Sequence, residues 1–175
     1  MHRDFALQWV FQLPDIYSKK LYAGWREMDY NAHMGNTAYL DKAVDVRLSF
    51  FLENGFPTSE LARLNIGPVI LKEEIQYFRE IRLLQEFTVT LELAGLSPNG
   101  HRFTLHNEFF RPDGERCARI TTYGGWLDLS RRKLIEPPGE IVAALRRLTR
   151  CEDYEDLPAA AESRTGSDER MSGTK

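Results

Sequence analysis

Residues 36–52 read NTAYLDKAVDVRLSFFL, and this stretch decides the fold. Its apolar side chains recur at steps of three and four residues, which predicts one apolar stripe along an α-helix. The stripe comprises Tyr39, Leu40, Ala43, Val44, Leu48, Phe50, Phe51 and Leu52. The charged residues predicted to face water are Asp41, Lys42, Asp45 and Arg47. Asn36 is a typical N-cap residue and Gly55 a typical stop signal, so we expect a long buried helix between them.

Strand-like sequence lies on both sides of this helix. The predicted strands cover residues 19–27, 69–79, 87–93, 101–110 and 117–129. The run FTVTLEL at 87–93 has the period-two alternation of a strand with one buried face. The turn sequences PNG at 98–100 and PDG at 112–114 make the last three strands antiparallel neighbours. A connector at 56–67 and a second helix at 137–148 complete the pattern.

A long apolar helix followed by antiparallel strands predicts an α+β domain, because the stripe must be buried against one face of the sheet. We expect a lead-in at 1–18, one domain at 19–150 and a disordered tail at 151–175. The last residues of the chain are small, polar and charged, and such a composition cannot bury enough apolar surface to become ordered. The edges of the predicted sheet are open, which favours pairing between subunits.

The composition of the chain disfavours several classes of function. The chain has 175 residues and a formal net charge of -3, which suits one domain and disfavours a nucleic-acid-binding surface. Cys117 and Cys151 are the only cysteines, and this usage indicates reduced thiols in the cytoplasm. No signal peptide and no run of about 20 apolar residues is evident, so we expect no membrane span. We expect neither a cofactor nor a metal, since a zinc site favours more Cys or His at short spacing.

The polar segment before the helix is the candidate for chemistry. Residues 26–39 read REMDYNAHMGNTAY, and they place Asp29, Asn31 and His33 at alternate positions just before the helix start. Free N–H groups and a partial positive charge at a helix start can hold a carbonyl oxygen as negative charge develops on it. A nearby carboxylate can attack that carbonyl or activate a water to do so. The segment therefore suits acyl transfer to water.

This segment resembles the hotdog-fold thioesterases, including the 4-hydroxybenzoyl-CoA thioesterase-like and acyl-CoA thioesterase families. Their common pattern is D-x-x-G-H-V-N-N-x-x-Y, and Asp29, His33, Asn36 and Tyr39 fall on its Asp, His, second Asn and Tyr. The form D-x-N-x-H also resembles the plant acyl-carrier-protein thioesterases. Ile75-Gln76-Tyr77 followed by Arg79 is similar to the second strand of the family. The resemblance covers residues 19–148 and implies an antiparallel sheet wrapped around a central helix.

The resemblance also implies roles for particular residues. Asp29 would be the nucleophile or general base, with Asn31 and His33 orienting it, orienting water or binding the thioester. The amides around Gly35 and Asn36 would polarise the carbonyl, and Tyr39 would pack the substrate pocket. The candidate cations for the phosphates of CoA are Arg79, Arg82, Arg131 and Arg132, next to Lys133. The acyl chain would lie in an apolar tunnel at the interface of a homodimer or homotetramer.

Two positions depart from the family pattern. Gly35 replaces the first Asn, which leaves room for a ligand to approach the backbone. Ala32 replaces the usual Gly, so we do not expect a positive φ there.

Other interpretations of the same residues stay open. Hotdog-fold hydratases and dehydratases resemble D-x-N-P-x-H, with His five residues after Asp, whereas His33 is four after Asp29. A non-catalytic acyl-CoA binder fits the fold as well. The polar segment could also consist of ordinary turn and capping residues. Asp45 or Glu53 could supply the acid from the helix body, and the thiol carrier could be CoA or a carrier protein.

Overall fold

One long helix and a seven-stranded sheet make up the described part of the chain, residues 16–159 of a computed structural model. The strands are β1 (Tyr17–Tyr22), β2 (Ile66–Tyr77), β3 (Glu86–Leu96), β4 (Arg102–Phe110), β5 (Arg116–Asp128), β6 (Lys133–Ile135) and β7 (Arg150–Asp156). The helices are a 3-10 turn at Trp25–Glu27, α1 (Asn36–Glu53), α2 (Thr58–Arg63) and α3 (Gly139–Leu145). None of these helices has the length and hydropathy needed to cross a bilayer.

The main sheet has the order β1-β3-β4-β5-β2, and neighbouring strands in it are antiparallel. β3, β4 and β5 are consecutive neighbours, as the two turn sequences predict. β6 pairs with β5, and β7 runs parallel to the second half of β3. The predicted α+β architecture is confirmed, and β2 remains at an edge of the sheet.

The core lies between α1 and the inner face of the sheet. Both predicted inner faces are confirmed as buried: Phe87, Val89, Leu91 and Leu93 of β3, and Phe103, Leu105, Asn107 and Phe109 of β4. Asn107 is the polar member, and its side-chain amide donates to the Thr90 carbonyl oxygen at 2.9 Å. The helix side of this core includes Tyr39, Ala43, Val46, Phe50 and Phe51.

The predicted helix stripe is wrong at one edge. Val44, Leu48 and Leu52 are exposed, with Leu52 at 59%. Arg47, predicted to face water, is only 6% exposed. The helix is rotated toward Arg47 because the sheet holds partners for it. The N-cap is also Gly35, not Asn36, which is the first helical residue. Gly55 does follow the helix end, with a φ of 89°.

The partners of Arg47 lie on two strands. Its guanidinium donates to Thr122 Oγ1 at 2.6 Å and to Glu73 Oε1 at 3.0 Å, and Thr122 also donates to Glu73. These bonds attach α1 to β5 and to the edge strand β2. A buried guanidinium is tolerated because a carboxylate and a hydroxyl satisfy it.

We expect Arg47→Leu to lower the free energy of unfolding by about 3 kcal/mol, because it leaves the Glu73 carboxylate partly buried without its cation. Denaturant titration followed by circular dichroism measures the change. The control is Arg63→Leu, which removes an exposed pair with Glu60 and should cost less than about 1 kcal/mol. Equal losses in the two variants would contradict a stabilising role for the Arg47 network.

The ends of the elements differ from the predicted ones. β1 begins at Tyr17, inside the predicted lead-in, and ends at Tyr22 instead of continuing to residue 27. β7 lies almost entirely in the segment predicted as a tail. Its sequence, RCEDYED, lacks an apolar face, and its pairing with β3 uses the main chain. Residues 1–15 and 160–175 lie outside the described residues, so the lead-in and the disorder of the tail stay predictions.

Candidate active site

A tight loop at residues 28–35 joins the 3-10 turn to α1. Within it, the Asp29 N–H donates to the His33 carbonyl oxygen at 2.7 Å, and the Ala32 N–H donates to the Asp29 carbonyl oxygen at 3.1 Å. The Met34 N–H donates to the Ile81 carbonyl oxygen at 2.8 Å. These bonds fix the loop on itself and attach it to the segment that follows β2.

The carboxylate of Asp29 is held by this loop. Its Oδ1 accepts the Asn31 N–H at 2.8 Å and the His33 N–H at 3.2 Å. The bond from the His33 backbone, with further bonds from Asn31, holds the pKa of Asp29 below its ordinary value. Asp29 is therefore ionised at neutral pH, and its side chain is exposed.

The start of α1 lies next to this acid. A Cβ added to Gly35 would be 3.6 Å from the Cβ of Asp29. The Gly35 N–H donates to the Glu27 carbonyl oxygen, and no side chain caps the helix. The N–H groups of Asn36 and Thr37 have no hydrogen-bond partner among residues 16–159. The Asp29 side chain thus lies next to Gly35, and the two residues after Gly35 carry backbone donors that are free to bind an oxygen.

A cavity of about 400 Å³ opens at the same place. It is lined by Trp25, Arg26, Met28, Asp29, Tyr30, Ala32 and Leu83. Trp25 and Tyr30 are both exposed, so aromatic surface flanks the acid on either side in sequence. The strand predicted at 19–27 includes Trp25, and the sequence does not predict this lining. The sequence feature that could have indicated this lining is the aromatic residue on each side of Asp29.

Glu27 is a second residue that the sequence did not reveal. Its carboxylate accepts the Gly24 N–H at 2.6 Å and pairs with Lys42 Nζ at 2.5 Å. Lys42 was predicted to face water, but this ion pair fixes it against the 3-10 turn. Because the Glu27 carbonyl oxygen also accepts the Gly35 N–H, Glu27 connects the loop, the turn and the helix start.

Tyr39 lies deeper than the other predicted site residues. It is buried, and its ring makes edge contacts with Tyr77 at 5.3 Å and with Phe109 at 5.2 Å between centroids. Burial raises the pKa of Tyr39 to about 12. Its contacts are those of a packing residue behind the loop. The structure therefore groups Asp29, Asn31, His33, Gly35 and Asn36, and places Tyr39 in the core beneath them.

The candidate cations fall into two groups. Arg79 and Arg82 lie in the segment after β2 that holds the loop, and the Arg82 backbone bridges to His33. Their guanidinium groups pair with Glu115 and Glu80, each at 3.2 Å. Arg131 and Arg132 follow the other end of β5. That strand pairs with Tyr77 at Ala118 and with Ile66 at Asp128, roughly 33 Å away. One chain alone does not bring the two groups together.

The carboxylates of the helix body have different surroundings. Glu53 is bonded by the Tyr17 hydroxyl at 3.0 Å and by Lys19 at 2.5 Å, which attaches α1 to β1. Asp45 is exposed and borders a second cavity of about 350 Å³ with Leu48 and Leu52. Neither carboxylate adjoins the loop that holds Asp29.

Ala32 has a φ of 60°, contrary to the expectation from its residue type. The short bonds between Asp29 and His33 close the loop in a way that requires a left-handed residue at this point. An L side chain in that conformation costs roughly 1–2 kcal/mol.

We expect Ala32→Gly to raise the free energy of unfolding by about 1 kcal/mol, because Gly adopts this φ without a Cβ clash. Thermal unfolding measures the gain as a rise in Tm of roughly 2–4 °C. The control is Ala62→Gly on the exposed side of α2, which should lower stability by about 1 kcal/mol. Destabilisation by both substitutions would contradict the left-handed conformation.

An antiparallel sheet wrapped around a central helix, with an acid at the start of that helix, defines a hotdog-fold protein of the thioesterase class. The chain belongs to the thioesterase-like superfamily, whose family model matches residues 23–145. A search of curated proteins by sequence finds none that matches.

Solved structures share this fold. A Staphylococcus aureus protein solved in complex with CoA has a TM-score of 0.70 and 20% identity, covering 78% of this chain and 87% of its own. A 1,4-dihydroxy-2-naphthoyl-CoA thioesterase from Synechocystis has a TM-score of 0.68 and 14% identity, covering 75% and 96%. A probable thioesterase from Escherichia coli has a TM-score of 0.64 and 24% identity, covering 77% and 99%. The hotdog fold that the family resemblance implies is confirmed.

Proposed function

We propose that this protein is a thioesterase that hydrolyses an acyl-CoA to a free acid and CoA. One observation carries the proposal: the ionised Asp29 side chain lies next to Gly35, the N-cap of α1, and lines a cavity. This pairing places a reacting acid within reach of donors that can hold a carbonyl oxygen.

The carbonyl oxygen of the thioester binds at the N–H groups of Asn36 and Thr37. Asp29 then follows one of two routes. It attacks the carbonyl carbon, the C–S bond breaks, and water opens the resulting anhydride. Alternatively, it takes a proton from a water that attacks the same carbon, and the C–S bond breaks as the tetrahedral intermediate collapses. In both routes the thiolate of CoA leaves and is protonated. Asn31 and His33 hold the carboxylate in position.

Two observations support CoA as the thiol carrier: arginines close to the loop, and solved structures of the same fold that are associated with CoA. Arg79 and Arg82 are exposed close to the loop, and guanidinium groups match phosphate geometry. The Staphylococcus aureus structure contains CoA, and the Synechocystis protein is named for a CoA thioester. A reducing cytoplasm is the compartment we propose, since both cysteines are free.

We propose further that the working form is a homodimer built on β2. This edge strand is 12 residues long and carries the exposed side chains Ile70 and Leu71. Arg47 binds Glu73, so α1 runs beside β2 and adds its exposed ridge of Val44, Leu48 and Leu52. A second copy related by two-fold symmetry can pair with this edge and cover the ridge.

Such a dimer also explains the separated cations. In an antiparallel pair of β2 strands, the Ile66 end of one copy lies beside the Tyr77 end of the other. Arg131 and Arg132 follow the β5 residue that pairs with Ile66. Arg131 and Arg132 of one copy would therefore lie near the loop of the second copy, close to the Arg79 and Arg82 of that second copy.

A panel of acyl-CoAs with a thiol-reactive dye tests the activity. We expect CoA release from at least one substrate, above a control with protein alone that accounts for Cys117 and Cys151. Hydration of an enoyl-CoA without thiol release would instead indicate a hydratase. Binding of CoA with no turnover of any substrate would indicate a non-catalytic binder.

A further inference from the structure

Three metal-ligating side chains meet on the outer face of the sheet, opposite α1. They are His106 of β4 and Cys151 and Asp153 of β7. Their ligand atoms all lie within 4.8 Å of one another, and His106 Nδ1 is 3.7 Å from Asp153 Oδ1. The cluster is separate from the loop that holds Asp29, since it lies on the other side of the sheet.

The path of β7 creates the cluster. Leu93 of β3 pairs with Arg150, and Gly95 pairs with Glu155. Between these two pairs, β7 has four residues, 151–154, whereas β3 has a single residue. Such an irregularity pushes the extra residues out of the ladder. It carries Cys151 and Asp153 over the outer face, where His106 stands.

The buried imidazole of His106 points to a ligand. Its side chain is 6% exposed, and its Nδ1 has no hydrogen-bond partner within residues 16–159. Buried polar atoms are nearly always paired, because an unpaired one loses its hydration without compensation. The Cys151 thiol and the Asp153 carboxylate lie beside this nitrogen. A partner for Nδ1 is therefore missing at the point where Sγ and the carboxylate also converge.

We propose that His106 Nδ1, Cys151 Sγ and one carboxylate oxygen of Asp153 bind a Zn²⁺ ion, with water as the fourth ligand. Nitrogen, sulfur and oxygen donors at about 2.0–2.3 Å are the usual zinc set, and a tetrahedral site separates its ligand atoms by roughly 3.3–3.8 Å. The observed 3.7 Å between His106 and Asp153 fits that spacing. Binding releases the thiol proton of Cys151 to solvent, and the thiolate becomes the sulfur ligand.

The charges around the cluster favour a cation on balance. Glu92 pairs across the strands with His106, and Glu108 lies on the same face of β4. Arg116 and Arg119 oppose a cation: both pair with Glu108, and Arg119 Nη1 lies 3.7 Å from Asp153, so two arginines stand against the three carboxylates of Glu92, Glu108 and Asp153. The ion would join β7 to β4 and so stabilise the last strand of the domain.

The full chain, stripped with a chelator and dialysed, is titrated with Co²⁺ and then with Zn²⁺ in competition. We expect one Co²⁺ per chain with a thiolate-to-cobalt charge-transfer band. Cys151→Ser should abolish the band. His106→Gln and Asp153→Asn should weaken Zn²⁺ binding by at least about 10–100-fold, the usual cost of losing an outer partner of a metal site. The control Cys117→Ala, which alters the other cysteine, should keep both the band and the affinity.

A second measurement is the Zn²⁺-dependent rise in Tm, expected in the wild type and in Cys117→Ala but not in Cys151→Ser. Asp153 is exposed, so Asp153→Asn tests the site without disturbing the core. A wild type that shows no charge-transfer band overturns the proposal. So does a Cys151→Ser or Asp153→Asn variant that binds Zn²⁺ as tightly as the wild type.

Discussion

Asp29→Asn is expected to lower the rate of thioester hydrolysis by about 100-fold or more, the scale of losing a catalytic base or nucleophile. The amide oxygen of Asn can still accept the N–H groups of Asn31 and His33, so the loop keeps its shape. The amide cannot attack a carbonyl carbon or take a proton from water. The measurement is kcat for the best acyl-CoA of the panel, with circular dichroism to show that the variant is folded.

Asp45→Asn is the matched control for this substitution. It changes the other candidate carboxylate by the same single group and leaves the loop untouched. We expect it to keep kcat within a few-fold of the wild type, since Asp45 borders a different cavity. A large loss of kcat in Asp45→Asn, with a normal kcat in Asp29→Asn, would show that the catalytic acid is Asp45 in the helix body and not Asp29 in the loop.

The grouping of the candidate site residues could be predicted because these residues are close in sequence. Asp29, Asn31 and His33 lie within five residues, and the helix start follows immediately, so their proximity needs no tertiary information. The conformation of Ala32 was missed for a related reason. Residue type disfavours a positive φ, but closure of the loop by the bonds between Asp29 and His33 overrides that preference.

Features that depend on distant partners could not be predicted. The predicted stripe of the helix included Leu48 and left Arg47 facing water. Hydrophobicity alone cannot reveal that Glu73 and Thr122 of the sheet bind the Arg47 guanidinium. β7 has no apolar periodicity, and main-chain pairing with β3 orders it. His106 and Cys151 lie far apart in sequence, so no short spacing of metal-ligating residues indicates that their side chains meet.

The observed rotation of α1 explains why several of its apolar residues are exposed together. Val44, Leu48 and Leu52 recur every four residues and form one ridge beside the open strand β2. A monomer would leave this ridge and the strand edge in water, and exposed apolar patches of this kind usually mark an interface. Residues that counted as core in the sequence therefore belong to a surface that a second copy can cover.

Leu71→Lys is expected to convert the proposed dimer to a monomer. Leu71 lies where the register of β2 against β5 shifts, between Ile70 and Lys72, and it is 47% exposed in the single chain. A Lys there is harmless to the monomer but would be buried without a partner in the dimer. An unpaired buried charge costs about 3–5 kcal/mol, which weakens dimerisation by about 100-fold or more. Size-exclusion chromatography with light scattering, over a range of protein concentrations, measures the change.

The matched control is Tyr22→Lys on β1, which forms the opposite edge of the main sheet and is also exposed. It introduces the same charge on an edge strand that we do not place in the interface, so the dimer should persist. Loss of hydrolysis together with the dimer in Leu71→Lys would mean that one copy completes the site of the other. That result follows if the cations after β5 serve the second subunit, because they follow the Asp128 end of β5, roughly 33 Å along the strand from its Ala118 end. A fully active wild-type monomer, or a Leu71→Lys dimer of unchanged affinity, would contradict pairing through β2.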